Sequence, residues 1–181
     1  MDINTQALLN IAKERAYQKK KVILASGRES DFYIDVRKIS LSSDGAYYIG
    51  ACLYEKIKNL GLSGVAVGGP TLGADPIIAA LAYHAHTQGD KLNVFIVRKE
   101  AKSHGMKRAY EGPDLTEGQK VILVDDVGTT GGSMIKAYEQ LKPLGVEVAA
   151  AFVIVDRQEG AKENFEQLGI PLYSLLKKED F

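Results

Sequence analysis

The residues from Lys120 to Ser133, KVILVDDVGTTGGS, constrain the fold more than any other part of the chain. Val121 to Val124 are consecutive aliphatic residues, a pattern typical of a strand in a parallel sheet that helices cover on both faces. Asp125 and Asp126 come where this strand would end. The small residues from Gly128 to Ser133 then lead into a helical pattern. The stretch therefore predicts a strand, a tight turn and a helix.

The turn has the composition of a site for a sugar phosphate. Its glycines allow the backbone to direct N–H groups inward, and the start of the next helix adds a positive dipole end. The two carboxylates before it can accept hydrogen bonds from a ribose diol. Helix capping by the aspartates and an ordinary Gly-Thr turn are the plainer interpretations. The chain contains neither a Walker A loop nor a G-x-G fingerprint.

The composition excludes several classes of function. Lys and Arg number 23, as do Asp and Glu, so bulk charge predicts neither a nucleic-acid partner nor a membrane surface. No apolar run approaches the ~20 residues of a membrane span. The single cysteine, Cys52, excludes an internal disulfide, and we expect a cytoplasmic protein. Three histidines and one cysteine are too few for a Cys/His zinc site, so we expect a hard cation such as magnesium, held mainly through substrate and water.

The rest of the 181 residues fits one domain with alternating strands and helices. Residues 1–40, which do not follow the alternation, are expected to form a small N-terminal hood, and about 41–181 the core. Periodicity predicts helices over 5–19 (capped at Asn4-Thr5), 44–60, 77–88, 134–142 and 161–168, and strands over 22–24, 32–34, 64–68, 92–97, 146–155 and 170–176.

The strand and turn at 120–133 resemble the motif with which type I phosphoribosyltransferases bind 5-phospho-α-D-ribose 1-diphosphate (PRPP). In that family the acids hold the ribose hydroxyls and the loop holds the 5′-phosphate. The resemblance implies an α/β fold, with a central mostly parallel sheet, helices on both faces and a hood. Gly128 departs from it, since relatives usually carry an aliphatic residue there. The implied PRPP-binding residues are Asp125, Asp126, Val127, Gly128, Thr129, Thr130, Gly131, Gly132 and Ser133.

The segment SGRESDFYIDVR, from Ser26 to Arg37, is similar to the N-terminal signature of orotate phosphoribosyltransferases. In that family the turn and the aromatic strand roof the pyrimidine, which implies orotate contacts for Tyr33 and Ile34. The alternative is an ordinary hairpin in which Asp35 pairs with Arg37. Many relatives have a lysine where this chain has Ala25.

The Gly/Pro-rich turn at 69–76, after the strand at 64–68, resembles the loop that binds diphosphate in the same family. Thr71 and Leu72 are therefore expected to contact PRPP. Relatives with a Tyr-Lys pair at these positions use side chains there, which this chain cannot do. The alternative is that this turn only connects a strand to a helix and binds no ligand.

The basic segment RKEAKSHGMKR, residues 98–108, matches the mobile catalytic loop of orotate phosphoribosyltransferases. The resemblance assigns catalysis and PRPP binding to Arg98, Lys99, Lys102 and His104. In that family the loop crosses the two-fold axis of a homodimer, and only Lys99 serves its own subunit. We expect the preceding strand to lie beside the PRPP strand. A solvated charged loop is the alternative.

The stretch DRQEG at 156–160 resembles the family segment that places an arginine on the orotate carboxylate. It implies that Arg157 and Thr129 orient orotate. The alternative is that Arg157 forms a salt bridge with a purely structural role, which is commoner for a single arginine.

Together the motifs imply Mg²⁺-dependent transfer of ribose 5-phosphate from PRPP to orotate. The products would be orotidine 5′-phosphate and diphosphate, in de novo UMP biosynthesis. Two alternatives stay open: a phosphoribosyltransferase for another base, and a non-enzymatic regulator that senses PRPP or nucleotides.

Overall fold

Six strands form the central sheet of the computed structural model, which describes residues 1–23, 29–99 and 109–181. The sheet has the order β5-β4-β3-β6-β7-β8, and every neighbouring pair except β4–β5 is parallel. The prediction of a mostly parallel sheet is therefore confirmed. The strands are β3 (Ala66–Pro70), β4 (Val94–Val97), β5 (Tyr110–Glu111), β6 (Lys120–Gly128), β7 (Glu147–Asp156) and β8 (Leu172–Lys177).

Helices cover both faces of this sheet, as predicted. Along β6, Val121 and Leu123 belong to one hydrophobic cluster, whereas Ile122 and Val124 belong to another. This alternation follows from the two-residue period of a strand. The helices are α1 (Ile3–Ile11), α2 (Arg37–Ser40), α3 (Ser43–Asn59), α4 (Ala74–Thr87), α5 (Gly132–Leu141) and α6 (Ala161–Gln167). Among the described residues, no helix combines the length and apolar character that crossing a bilayer requires.

The N-terminal helix differs from the prediction at both ends. The carboxylate of Asp2, not Asn4-Thr5, caps α1 by accepting the N–H of Thr5 at 2.9 Å. A π-helical turn, Ala12–Ala16, follows, and β1 (Tyr17–Ile23) then pairs antiparallel with β2 (Glu29–Ile34). The predicted helix therefore ends early, because tertiary pairing with β2 outweighs helical propensity. Residues 24–28 lie outside the described part of the chain.

The position predicted for β4 is wrong. β3 lies between β4 and β6, since Val67 pairs with Val94 on one side and with Ile122 on the other. Because Gly68 and Gly69 have no side chains, neighbouring atoms can approach this central strand closely. The basic segment that follows β4 therefore begins two strands away from the acid pair.

We expect Gly69→Ala to destabilise the sheet. A Cβ at Gly69 would overlap the carbonyl oxygen of Val124, a backbone atom that cannot move aside. Overpacking of this kind costs roughly 1 to 3 kcal/mol. In urea unfolding, the free energy of unfolding of Gly69→Ala should be at least about 1 kcal/mol lower than that of wild type. Gly132→Ala is the matched control, because a Cβ there would lie 3.6 Å from Thr130 Oγ1, an ordinary van der Waals contact. Equal stability of the two variants would contradict this packing.

Candidate active site

The two adjacent acids lie at the carboxyl end of β6. Asp125 is only 5% exposed and pairs with Val153 of β7, so the strand continues through the acids instead of ending before them. Asp125 Oδ1 accepts the N–H of Asp126 at 2.9 Å, and Asp126 Oδ1 accepts the N–H of Val127 at 2.8 Å. The hydroxyl of Ser133 donates to Asp125 Oδ2 at 2.5 Å.

Burial of this pair changes its protonation. Desolvation, followed by the neighbouring charge of Asp126, raises the pKa of Asp125 to about 7, against the opposing hydrogen bond from Ser133. Burial also raises the pKa of Asp126, while the N–H of Val127 and the charge of Arg37 oppose that shift. A ligand that donates hydroxyl hydrogens to these oxygens would stabilise their ionised form.

The turn after β6 presents the start of α5. Gly131 has a φ of 77°, and a Cβ there would lie 2.8 Å from the ring of Phe165. The turn is also held by α6, since Thr129 O accepts the N–H of Ala161 at 3.1 Å. Gly131 is the N-cap residue and has no side chain, which leaves the first N–H groups of α5 available to an anion.

The turn after β3 closes against the acid pair. A Cβ at Gly73 would overlap Asp125 Oδ1 and would lie 2.9 Å from Asp126 Oδ1. The hydroxyl of Thr71 donates to Asp75 Oδ2 at 2.8 Å, and the peptide between Thr71 and Leu72 is cis. The structure thus brings the predicted Thr71-Leu72 turn to the same edge of the sheet as the acids.

Of the basic segment, the structure describes only Arg98 and Lys99. Arg98 Nε donates to Glu111 Oε1 of β5 at 2.7 Å, with Nη2 on the same oxygen, and Arg98 N–H donates to Ala109 O at 2.9 Å. Lys99 is exposed. Lys102 and His104 lie within residues 100–108, outside the described part of the chain.

Arg157 connects the end of β7 to β2. Its side chain is 6% exposed, its Nε donates to Glu159 Oε1 at 3.0 Å, and its Nη2 donates to Phe32 O at 3.0 Å. Its backbone N–H also donates to Gly128 O at 2.9 Å, which places it beside the glycine-rich turn. The ion pair of the structural interpretation is therefore present, in a position next to the sugar-phosphate turn.

The predicted roof residues lie on the strand that Arg157 contacts. Ile34 is 7% exposed, and Tyr33 is partly buried. The ion pair expected of an ordinary hairpin is also present, since Arg37 Nε donates to Asp35 Oδ1 at 2.9 Å. Ala25 and the Ser26-Gly27 turn fall outside the described residues.

Sequence reasoning missed several neighbours of these residues. Gly73 carried a signal, because a glycine between a strand and a helix often marks a close approach. Glu159 lies two residues after Arg157, in the DRQEG stretch. Glu111 carried no signal, since a partner brought in by strand pairing is not visible in local periodicity.

Known proteins resemble this chain over most of its length. A model of the phosphoribosyl transferase domain matches residues 45–166. The orotate phosphoribosyltransferase of Aquifex aeolicus is 43% identical over 169 residues, which cover 93% of this chain and 88% of that protein.

Solved structures agree with this match. The orotate phosphoribosyltransferase of Mycobacterium tuberculosis in complex with Fe(III) dicitrate superimposes with a TM-score of 0.84 at 36% identity, covering 98% of each chain. The same enzyme in complex with PRPP gives a TM-score of 0.80 at 32% identity, again over 98% of each chain.

We expect Asp125→Asn to make the protein less sensitive to alkaline pH. The folded-state pKa of about 7 lies above the unfolded value, so the folded state binds more protons between these two values. Stability therefore falls as pH rises through this window. The free energy of unfolding of the variant, relative to wild type, should rise by on the order of 2 kcal/mol from pH 5 to pH 8.5.

Asp44→Asn is the matched control for this measurement. The exposed Asp44 has a pKa lowered by its hydrogen bond to Arg15, so it is ionised throughout this range and its removal should give a constant offset. A constant offset for Asp125→Asn as well would show that Asp125 is ionised throughout.

Proposed function

The chain belongs to the orotate phosphoribosyltransferase family, and we propose that it transfers ribose 5-phosphate from PRPP to N1 of orotate. The products are orotidine 5′-phosphate and diphosphate, and the reaction serves de novo UMP synthesis. The observation that carries this proposal is the buried Asp125 and the partly buried Asp126 beside the start of α5, which can bind an anion.

The acids and the turn would hold the ribose 5-phosphate. The 5′-phosphate would accept hydrogen bonds from the N–H groups of residues 129–133, where the dipole of α5 favours negative charge. Asp125 and Asp126 would accept the 2′- and 3′-hydroxyls. As the C1–O bond breaks, their charge would offset the positive charge that develops on the ribosyl ring.

Diphosphate leaves with several negative charges, and the basic segment supplies cations for it. We assign this role to Arg98, Lys99, Lys102 and His104, together with the backbone of the Thr71-Leu72 turn. In the described state Arg98 is paired with Glu111 and would have to exchange that carboxylate for the diphosphate. Closing the segment over the site would also exclude water, which would otherwise hydrolyse the cation.

The described residues fit magnesium bound through substrate oxygens. No group of three or more potential ligand side chains occurs among residues 1–23, 29–99 and 109–181. Mg²⁺ is commonly bound by one or two carboxylates together with substrate phosphates and water, and Asp125 and Asp126 could provide them. When bound, the ion would neutralise charge on the departing diphosphate.

Orotate would lie between the glycine-rich turn and the β1–β2 sheet. Arg157 would bind its carboxylate, Thr129 would orient the ring, and Tyr33 and Ile34 would lie above it. The proximity of Arg157 to both Gly128 and Phe32 supports this arrangement. We propose that residues 1–40 act as a hood for the base within a single domain.

We propose that the enzyme is a cytoplasmic homodimer. Large apolar side chains are exposed along α3, α4 and the turns before them: Leu41 is 74%, Tyr47 57%, Leu72 66% and Tyr83 73% exposed. Such an apolar surface is typical of a protein interface. Because Leu72 belongs to the turn beside the acids, a second copy bound here would lie close to the site.

The reaction can be tested by the ultraviolet absorbance of orotate. Purified protein with PRPP and Mg²⁺ should consume orotate and form orotidine 5′-phosphate and diphosphate in equal amounts. Adenine, guanine and uracil are the control bases. Consumption of another base instead would identify a different phosphoribosyltransferase. PRPP binding without turnover of any base would favour the regulator.

Complementation tests whether the site is shared between subunits. Lys102→Ala should be nearly inactive, and so should Arg157→Ala at an orotate concentration well below its raised KM. After verified subunit exchange, random pairing makes roughly half of the dimers mixed, and each mixed dimer regains one intact site, so roughly a quarter of wild-type activity should return. If mass spectrometry shows mixed dimers but no activity returns, the basic segment serves its own subunit.

A further inference from the structure

Three aromatic rings, distant in sequence, meet behind the β1–β2 sheet. The ring centroids of Tyr17 and Phe32 are 5.1 Å apart, those of Tyr17 and Phe181 are 5.4 Å apart, and those of Phe32 and Phe181 are 5.5 Å apart. Each pair lies within the range in which aromatic rings attract one another. We call these three residues the aromatic cluster.

Phe181 reaches the cluster from a short 3₁₀ turn, Lys178–Asp180, that follows β8. Asp180 Oδ2 accepts the N–H of Lys177 at 2.7 Å, and Lys178 O accepts the N–H of Phe181 at 3.3 Å. These bonds fix the direction of the chain after β8. The Phe181 ring therefore approaches Phe32 from a hydrogen-bonded turn at the end of β8.

Phe32 joins this cluster to Arg157. Its ring is 4% exposed and lies 5.5 Å from Arg157 Cζ, and its carbonyl oxygen accepts the hydrogen bond from Arg157 Nη2. The ammonium of Lys178 lies over the same ring, 5.8 Å from its centroid, in a cation–π contact. The position of the Arg157 guanidinium thus depends on where β2 holds Phe32.

The β1–β2 sheet needs such outside support. A two-stranded sheet is marginally stable by itself in water, and in the described part of the chain β1 and β2 form a sheet of their own, separate from the six-stranded sheet. Side-chain packing therefore decides where β2 lies. The aromatic cluster is the part of that packing that links β2 to the end of β8.

We propose that Phe181 is a positioning residue for the base site. By packing on Tyr17 and Phe32, it fixes β2 relative to the central sheet, and the Phe32 carbonyl in turn orients Arg157. The inference rests on the proposed function, because it assumes that Arg157 binds the orotate carboxylate. PRPP binding, assigned to β6 and α5, does not depend on this contact.

Phe181→Ala should therefore separate the two substrates. We expect KM for orotate at saturating PRPP to rise about five- to tenfold, the effect of losing one or two aromatic contacts. KM for PRPP should stay within about twofold of wild type. Phe181→Tyr keeps the ring and should restore the orotate KM.

Tyr173→Ala is the matched control for lost aromatic packing. Tyr173 is partly buried on β8, and its ring centroid lies 5.2 Å from that of Phe152. It should lower the melting temperature without changing the orotate KM. Hydrogen exchange should be faster in β2 for Phe181→Ala than for Tyr173→Ala.

An Arg157→Ala background supplies the decisive comparison. There Phe181→Ala should change the orotate KM by less than about twofold, because the group that it positions is absent. An equal factor in both backgrounds, or equal changes in both KM values, would overturn the inference while leaving the proposed function intact. Failure of the wild-type protein to use orotate would instead overturn the proposed function.

Discussion

The rest of the site is arranged around two neighbouring carboxylates at the end of β6, of which Asp125 is buried and Asp126 is partly buried. Burying such a pair is unfavourable unless hydrogen bonds or a ligand compensate. Backbone N–H groups and the Ser133 hydroxyl supply part of this compensation. The remainder is what a ribose diol and a bound cation would provide. The energetic cost of the free site is thus consistent with a role in binding.

The acid pair also determines which residues can surround it. Gly73 must lack a side chain, since a Cβ would overlap Asp125, and Gly131 needs a left-handed conformation to start α5 beside Phe165. These glycines come from turns after different strands. They meet because parallel strands place their carboxyl ends at one edge of the sheet, where open α/β sheets bind ligands.

Much of this could be predicted from the sequence. The aliphatic run before Asp125 predicted a strand buried on both faces, because a run of consecutive apolar residues can be recognised from the local sequence alone. The start of β1 and the neighbour of β4 were mispredicted because strand pairing is a contact between distant segments. For the same reason local patterns could not reveal that Arg98 contacts Glu111 or that Arg157 contacts Phe32.

Direct titration of the acid pair tests this account most sharply. Carbon-13 NMR of aspartate-labelled protein, with Asp125 assigned by its loss in Asp125→Asn, measures the protonation of this carboxyl. We expect a midpoint near pH 7 in the free protein. The midpoint should fall clearly when PRPP and Mg²⁺ bind, because both stabilise the ionised carboxylate. A midpoint near the unperturbed value of about 4, or one that PRPP leaves unchanged, would contradict the assignment of this buried pair to the ribose site.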